Sequence, residues 1–179
     1  MSVKNMIEEE RAKGKELQFG IQMDEMSLKK QIEFHNNMWH GMVDIGLPEN
    51  QNQSSEEASY ALVAMLVCLN GHFKTPIAYY FIKSLSGEVR ANILQELIKT
   101  LHENDIDNIR SLTFDGASVN LSMVTKLGAN KTNIENYYFE DPVTNEPIVI
   151  IPDACHMLKL IRNTFAECTL IDKNNKIID

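Results

Sequence analysis

The chain has few cysteines, a single tryptophan and no excess of basic charge. Cys68, Cys155 and Cys168 are its three cysteines. Their number is odd, their spacing is irregular and none forms a Cys-x-x-Cys pair. This argues against a disulfide framework and for a reducing compartment. No apolar run approaches the ~20 residues needed to cross a bilayer, so no membrane partner is expected. The charged N-terminus carries no signal-peptide core. A nuclear or cytoplasmic protein, not a secreted one, fits. No GxxxxGK[ST], GxGxxG or GxSxG segment is present, which leaves no visible phosphate cradle or nucleophile elbow. Lys and Arg number 17 against 25 Asp and Glu, a formal net charge of −8. A surface that grips nucleic acid through phosphates alone should be basic. Either the chain does not touch nucleic acid, or it does so only at a metal-filled site while other modules supply the grip.

Hydrophobic residues make up 44% of the 179 residues, enough for one domain with a real core. Residues 1–18 are rich in Lys and Glu and read as a tail or frayed linker helix. Residues 19–179 read as the domain. Phe19 to Leu28 alternates apolar and polar side chains, as a strand does. Gln31–Phe34 and Trp39–Ile45 read as two short strands around a His35-Asn36-Asn37-Met38 turn. Residues 46–57, with Pro48 and several Asn, Gln and Ser, read as a mobile loop. Tyr60 to Leu69 is apolar on both faces and predicts an interior strand. Asn70-Gly71 before Thr75–Ile82 predicts a hairpin. Ser86 is the candidate cap of a helix reaching about Glu103, whose Val89, Ile93, Leu94, Leu97, Ile98 and Leu101 share a face. Ile109–Phe114 is the next strand, and Ser118–Leu127 a second helix stopped by Gly128. Residues 129–147, which include Tyr137-Tyr138-Phe139, read as a loop. Ile148–Ile151 is a short strand, and Ala154–Phe165 a third helix capped by Asp153. With the inserted hairpin set aside, this order is that of an RNase H-like core: α/β, with a mixed sheet.

Two acids stand out by position, Asp24 within the first strand and Asp115 at the end of the strand after the long helix. In an RNase H-like sheet those strands are parallel neighbours, so both carboxylates would enter one cleft. Like charges there are costly. A divalent cation removes that cost, and hard oxygen ligands suit Mg²⁺ or Mn²⁺ in phosphoryl transfer. A structural reading stands beside this one. Asp before Gly is a common turn residue, and Asp24 could face solvent, although Asp disfavours strand interiors. Asp153-Ala154-Cys155-His156 invites a metal reading, but adjacent helical residues point apart and no second pair lies at zinc spacing. A capping Asp153 with a buried Cys155 is the expectation. His156, Lys159 and Arg162 share a helical stripe that could meet phosphate or face water. His35, His40, His72 and His102 show no convergent spacing and read as surface or turn residues. Lys83 reads as solvent-facing.

Four segments together carry a resemblance. Asp24-Glu25-Met26-Ser27-Leu28-Lys29 resembles the Asp-Glu-Met strand of the P-element transposase family, which includes the THAP-domain transposases. Val43-Asp44-Ile45-Gly46 resembles that family's inserted hairpin, and Thr113-Phe114-Asp115-Gly116-Ala117-Ser118-Val119-Asn120 its second acidic segment. Asp153-Ala154-Cys155-His156-Met157-Leu158-Lys159-Leu160-Ile161-Arg162-Asn163 resembles its best-marked helix. The segments keep family order across about residues 18–168.

The resemblance implies an RNase H-like mixed sheet with flanking helices and an inserted β-hairpin after the first strand, C-terminally incomplete. It implies Mg²⁺- or Mn²⁺-dependent cleavage and joining of DNA at transposon ends, with Asp24 and Asp115 as catalytic metal ligands. Asp153, His156, Lys159 and Arg162 would lie around the metal or on the substrate side. The family's third acid, a Glu far downstream, has no counterpart before Asp179. Its GTP-binding insertion, which follows the region matching Arg162-Asn163, and its THAP zinc finger have none either. GTP is thus expected only in the full-length family, and the chain alone is expected to be inactive. The alternative is a non-catalytic interaction or dimerisation module that uses the hairpin and the aromatic segment near Tyr137. A nuclease completed by Asp153 or Glu167 is a third reading.

Overall fold

In the computed structural model, residues 3–46, 56–129, 137–173 and 176–178 are described. Most of the expected mobile loop, residues 47–55, and residues 130–136 of the second expected loop lie outside them. The charged N-terminal segment forms helix α1 (Val3–Arg11). Its Ile7, with Leu17 beyond it, is buried in the core.

The centre of the fold is strand β1 (Phe19–Ser27), whose burial alternates at first and then opens to solvent. The hairpin inserted after it is β2 (Glu33–His35) and β3 (Met38–His40), paired antiparallel. It is shorter than expected, because Asn36 and Asn37 alone form the turn. Both have positive φ, 51° and 60°, the requirement of the two-residue turn that matches strand twist. Beyond His40 the strand does not run on to Ile45. Only isolated bridges follow, Met42 to Glu57 and Asp44 to Phe81.

Strands β4 (Tyr60–Cys68) and β5 (Lys74–Ile82) form the hairpin that Asn70-Gly71 signals. Helix α2 (Gly87–Glu103) starts where expected, with the Ser86 hydroxyl accepting from the Val89 amide at 3.3 Å. Strand β6 (Ile109–Phe114) and helix α3 (Ser118–Lys126) follow. The segment read as a loop holds one more strand, β7 (Tyr138–Glu140), antiparallel to β8 (Pro147–Pro152). The physical reason is Asp141. Its carboxylate accepts from the amides of Val143 (2.8 Å) and Thr144 (3.1 Å), and its own amide bonds to the Glu146 carbonyl. These bonds convert a polar stretch into a tight hairpin turn. Helix α4 (Ala154–Glu167) and the short pair β9 (Leu170–Ile171) and β10 (Ile177–Ile178) end the described chain.

The main sheet has the order β5-β4-β1-β6-β8-β7. β1 lies antiparallel to β4 and parallel to β6, and β6 lies parallel to β8. The doubly apolar β4 is interior, as its sequence predicts. Ile21, Met23, Leu112, Phe114 and Ile148 pack with Leu94 and Ile98 of α2 and Met123 and Val124 of α3 in one cluster. Each fully buried Leu or Ile there contributes ~1.5–3 kcal/mol. Asp24, Val149 and Ile151 are exposed, and α4 has no buried residue. Cys155, expected to be buried, is therefore exposed.

Candidate functional site

In the parallel pair of β1 and β6, the last matched positions are Gln22 and Thr113. Two residues further along each chain stand Asp24 and Asp115. Parallel register therefore brings both acids side by side, just past the last matched pair of the two strands. A cleft at that end is lined by Asp24, Glu25, Asp115, Arg90 and Asn120, with apolar Met23 and Leu62. The two sequence-predicted acids thus meet in one place.

Asp24 is exposed, and its Oδ1 accepts the Glu25 amide at 2.8 Å. Oδ1 of Asp115 accepts the Ala117 amide at 3.0 Å and the Asn120 side-chain amide at 2.7 Å. Asp115 is therefore a turn residue through one oxygen. Among the described residues, the Oδ2 atoms of both acids take no hydrogen bond. Each acid thus keeps a hard oxygen donor available, and such donors fit Mg²⁺ or Mn²⁺. Among the described residues, no group of three or more His, Cys, Asp or Glu could hold a metal ion.

Around the acids lies a polar chain that the sequence reading did not find. Arg90, only 4% exposed, forms an ion pair with Glu25. Its Nη1 donates to Asn120 Oδ1 at 3.0 Å. A signal was present for Arg90: it lies four residues before Leu94 and seven before Leu97, on the helix's buried stripe. Asn120 had a weaker one, its place in the first turn of α3, close after Asp115.

The remaining candidates lie apart from the cleft lining. Asp153 caps α4, its Oδ1 accepting the Cys155 amide at 2.9 Å, while its own amide bonds to the Phe114 carbonyl. His156 approaches the loop after β6: a Cβ on Gly116 would stand 3.7 Å from its ring and 3.1 Å from Leu160. Lys159 and Arg162 are exposed, and Arg162 donates to Asn163 Oδ1 at 3.0 Å. Glu167 ends α4, exposed. Lys83 is half exposed, pairing with Glu56 at 3.0 Å. His102, read as a surface or turn residue, is instead nearly buried, its side chain 11% exposed and 2.8 Å from Asp141.

Comparison with known proteins agrees with this architecture. The chain is 29% identical over 144 residues to human DNA transposase THAP9, a match that covers 78% of the chain and 16% of that protein. It thus spans about a sixth of the length of this curated relative. Its fold is similar to a chain of the Drosophila P element transposase strand transfer complex, with a TM-score of 0.69 and 19% identity. That match covers 89% of this chain and 31% of the other. Residues 2–128 match the family model described as TNP-like, RNase H N-terminal domain. The paired strands, the two acids beside them and this match across most of the sheet identify the chain as a transposase-derived RNase H-like domain, a member of the TNP-like RNase H N-terminal domain family.

Proposed function

We propose that this chain supplies the first two metal-holding carboxylates, Asp24 and Asp115, of a domain that cuts and joins DNA strands in the nucleus. The observation that carries this reading is the position of both acids on one cleft, each two residues past the last matched pair of β1 and β6. A bound Mg²⁺ or Mn²⁺ would neutralise charge developing on the oxygens of a phosphodiester under attack. The chain's own residues hold the carboxylates in place and line one side of the cleft with apolar Met23 and Leu62. Two acids hold a cation weakly, so strand cleavage needs a further carboxylate from outside the described residues, and this chain alone is inactive. The net charge of −8 fits a division of labour in which other modules grip the transposon ends and bind GTP. Asp153, His156, Lys159 and Arg162 then face the substrate side, not the cation.

The test is calorimetric titration of the chain with Mn²⁺, against a chain carrying Asp24→Asn and Asp115→Asn. Binding by the first and none by the second is expected. Equal binding by both sinks the shared site.

A second reading rests on a different observation. Leu158, Ile161 and Phe165 of α4 are 66%, 47% and 59% exposed, and Val149 and Ile151 of β8 are about as open. Exposed apolar surface of this kind marks an association site, and a second copy of the chain is the proposed occupant. Sedimentation over a range of concentrations tests it: a mass that stays at 20.4 kDa at every concentration rules it out.

A further inference from the structure

We propose that Asn120 and Arg90 are positioning residues that set which carboxylate oxygens the cleft offers to a cation. The inference rests on the two-carboxylate reading above and extends it to residues that hold the carboxylates in place.

Three carboxylates line the cleft: Asp24, Glu25 and Asp115. The buried chain of bonds sorts them. Arg90 can only donate, so the Asn120 group facing it must be the amide oxygen, which it meets at 3.0 Å. That fixes the amide's direction and turns its NH₂ group onto Asp115 Oδ1, 2.7 Å away. With the Ala117 amide at 3.0 Å, Oδ1 has two donors and Oδ2 is left for a cation. At its other end the guanidinium holds Glu25 in an ion pair. Glu25, although it adjoins Asp24, thereby has its charge already met by a cation and its Oε1 occupied. Asp24 and Asp115 are left as the cleft acids whose charge no Arg or Lys among the described residues offsets by an ion pair.

Burial adds to the case. Arg90 is 4% exposed, and its Nε has no hydrogen-bond partner among the described residues. Burying a guanidinium is costly, and a buried ion pair is weak evidence of stabilisation. An apolar side chain on this stripe of α2 would pack beside Leu94 at no such cost. What the arginine supplies instead is a rigid donor fork that reaches β1 and α3 together. It spans 65 residues of sequence to Glu25 and 30 to Asn120. It thus ties the ends of the two elements that flank the acids. Outer partners of this kind typically change metal affinity by about 10–100-fold when removed.

The experiment is Mn²⁺ titration of the full chain and its variants, with melting curves in chelator on the same samples. Asn120→Ala is expected to weaken Mn²⁺ binding by about tenfold. Val124→Ala, which loosens the buried face of the same helix without touching the chain of bonds, is expected to lower the melting temperature and leave Mn²⁺ affinity unchanged. Should Asn120→Ala not fold, Asn120→Leu fills the niche with a side chain of similar size and no donor, and the same loss is expected. Unchanged affinity in the folded Asn120 variant overturns the positioning role and leaves the two-acid site standing. Equal losses in the Asn120 and Val124 variants overturn it too, because general loosening then suffices. No binding by the unsubstituted chain overturns both readings together.

Discussion

His102 at the end of α2 and Asp141 at the turn between β7 and β8 meet at 2.8 Å, 39 residues apart in sequence. The Asp141 side chain is 2% exposed, and it also accepts the Val143 and Thr144 amides. One carboxylate therefore both builds the edge hairpin and fastens it to the helix. Asp141→Ala removes all these bonds and is expected to cost roughly 3 kcal/mol, measured by urea unfolding. Asp141→Asn keeps an acceptor oxygen for the turn and should cost clearly less. Equal losses would mean that charge, not turn bonding, dominates.

Gly87 opens α2 against α3. A Cβ there would stand 2.6 Å from Ser122 Oγ and 2.8 Å from the Met123 amide nitrogen. Backbone cannot yield as a flexible side chain does, so Gly87→Ala is expected to destabilise the fold by ~1–3 kcal/mol. Adding Ser122→Gly should recover only part of that, because the Met123 contact remains. Full recovery in the double variant, read by thermal melting, would contradict the backbone contact.

The cysteines should separate chemically. Burial pushes the Cys68 thiol up from its ordinary range, with a further push from the Glu10 carboxylate. The thiolate is the reactive form, so a raised pKa means less thiolate at any given pH and slower alkylation. Cys155 and Cys168 are exposed. Iodoacetamide followed by peptide mass mapping should label those two first. Cys68 should follow only at higher pH or in denaturant. Early labelling of Cys68 would place it outside the core.

Trp39, the chain's one tryptophan, is 60% exposed and packs on Phe34, with ring centroids 5.0 Å apart. Its fluorescence should be quenched readily by acrylamide and change little on unfolding. A large blue shift in the native spectrum would mean that the hairpin tip is covered, for example by a second copy.

Most of the architecture could be read because periodicity and turn chemistry are local. Asn70-Gly71 announced the β4–β5 hairpin, Ser86 the start of α2, and the doubly apolar Tyr60–Leu69 run the interior strand. The miss at β7 has a physical cause: three residues carry too little pattern, and the decisive bonds come from Asp141, whose partners include a helix far away in sequence. His102 was misread for the same reason. Asp24 and Asp115 stood out as acids at strand positions, but their meeting depends on the parallel register of β1 and β6. Arg90 could have been found as a charge on an apolar stripe. Asn120 could not be assigned a partner without α2 beside it.

The strand order carries a consequence for synthesis. β1 has β4 on one side and β6 on the other, and β6 is made only after β4, β5 and α2. While the chain leaves the ribosome, β1 can zip onto β4 early, but its other edge stays open until Ile109–Phe114 arrives. Pairing along that edge stops at Gln22, just before Asp24, so the cleft cannot form until β6 has been made. An unpaired strand edge in a nascent chain invites intermolecular pairing. The charges along that strand, Asp24 and Glu25, would serve in that interval as a guard against aggregation.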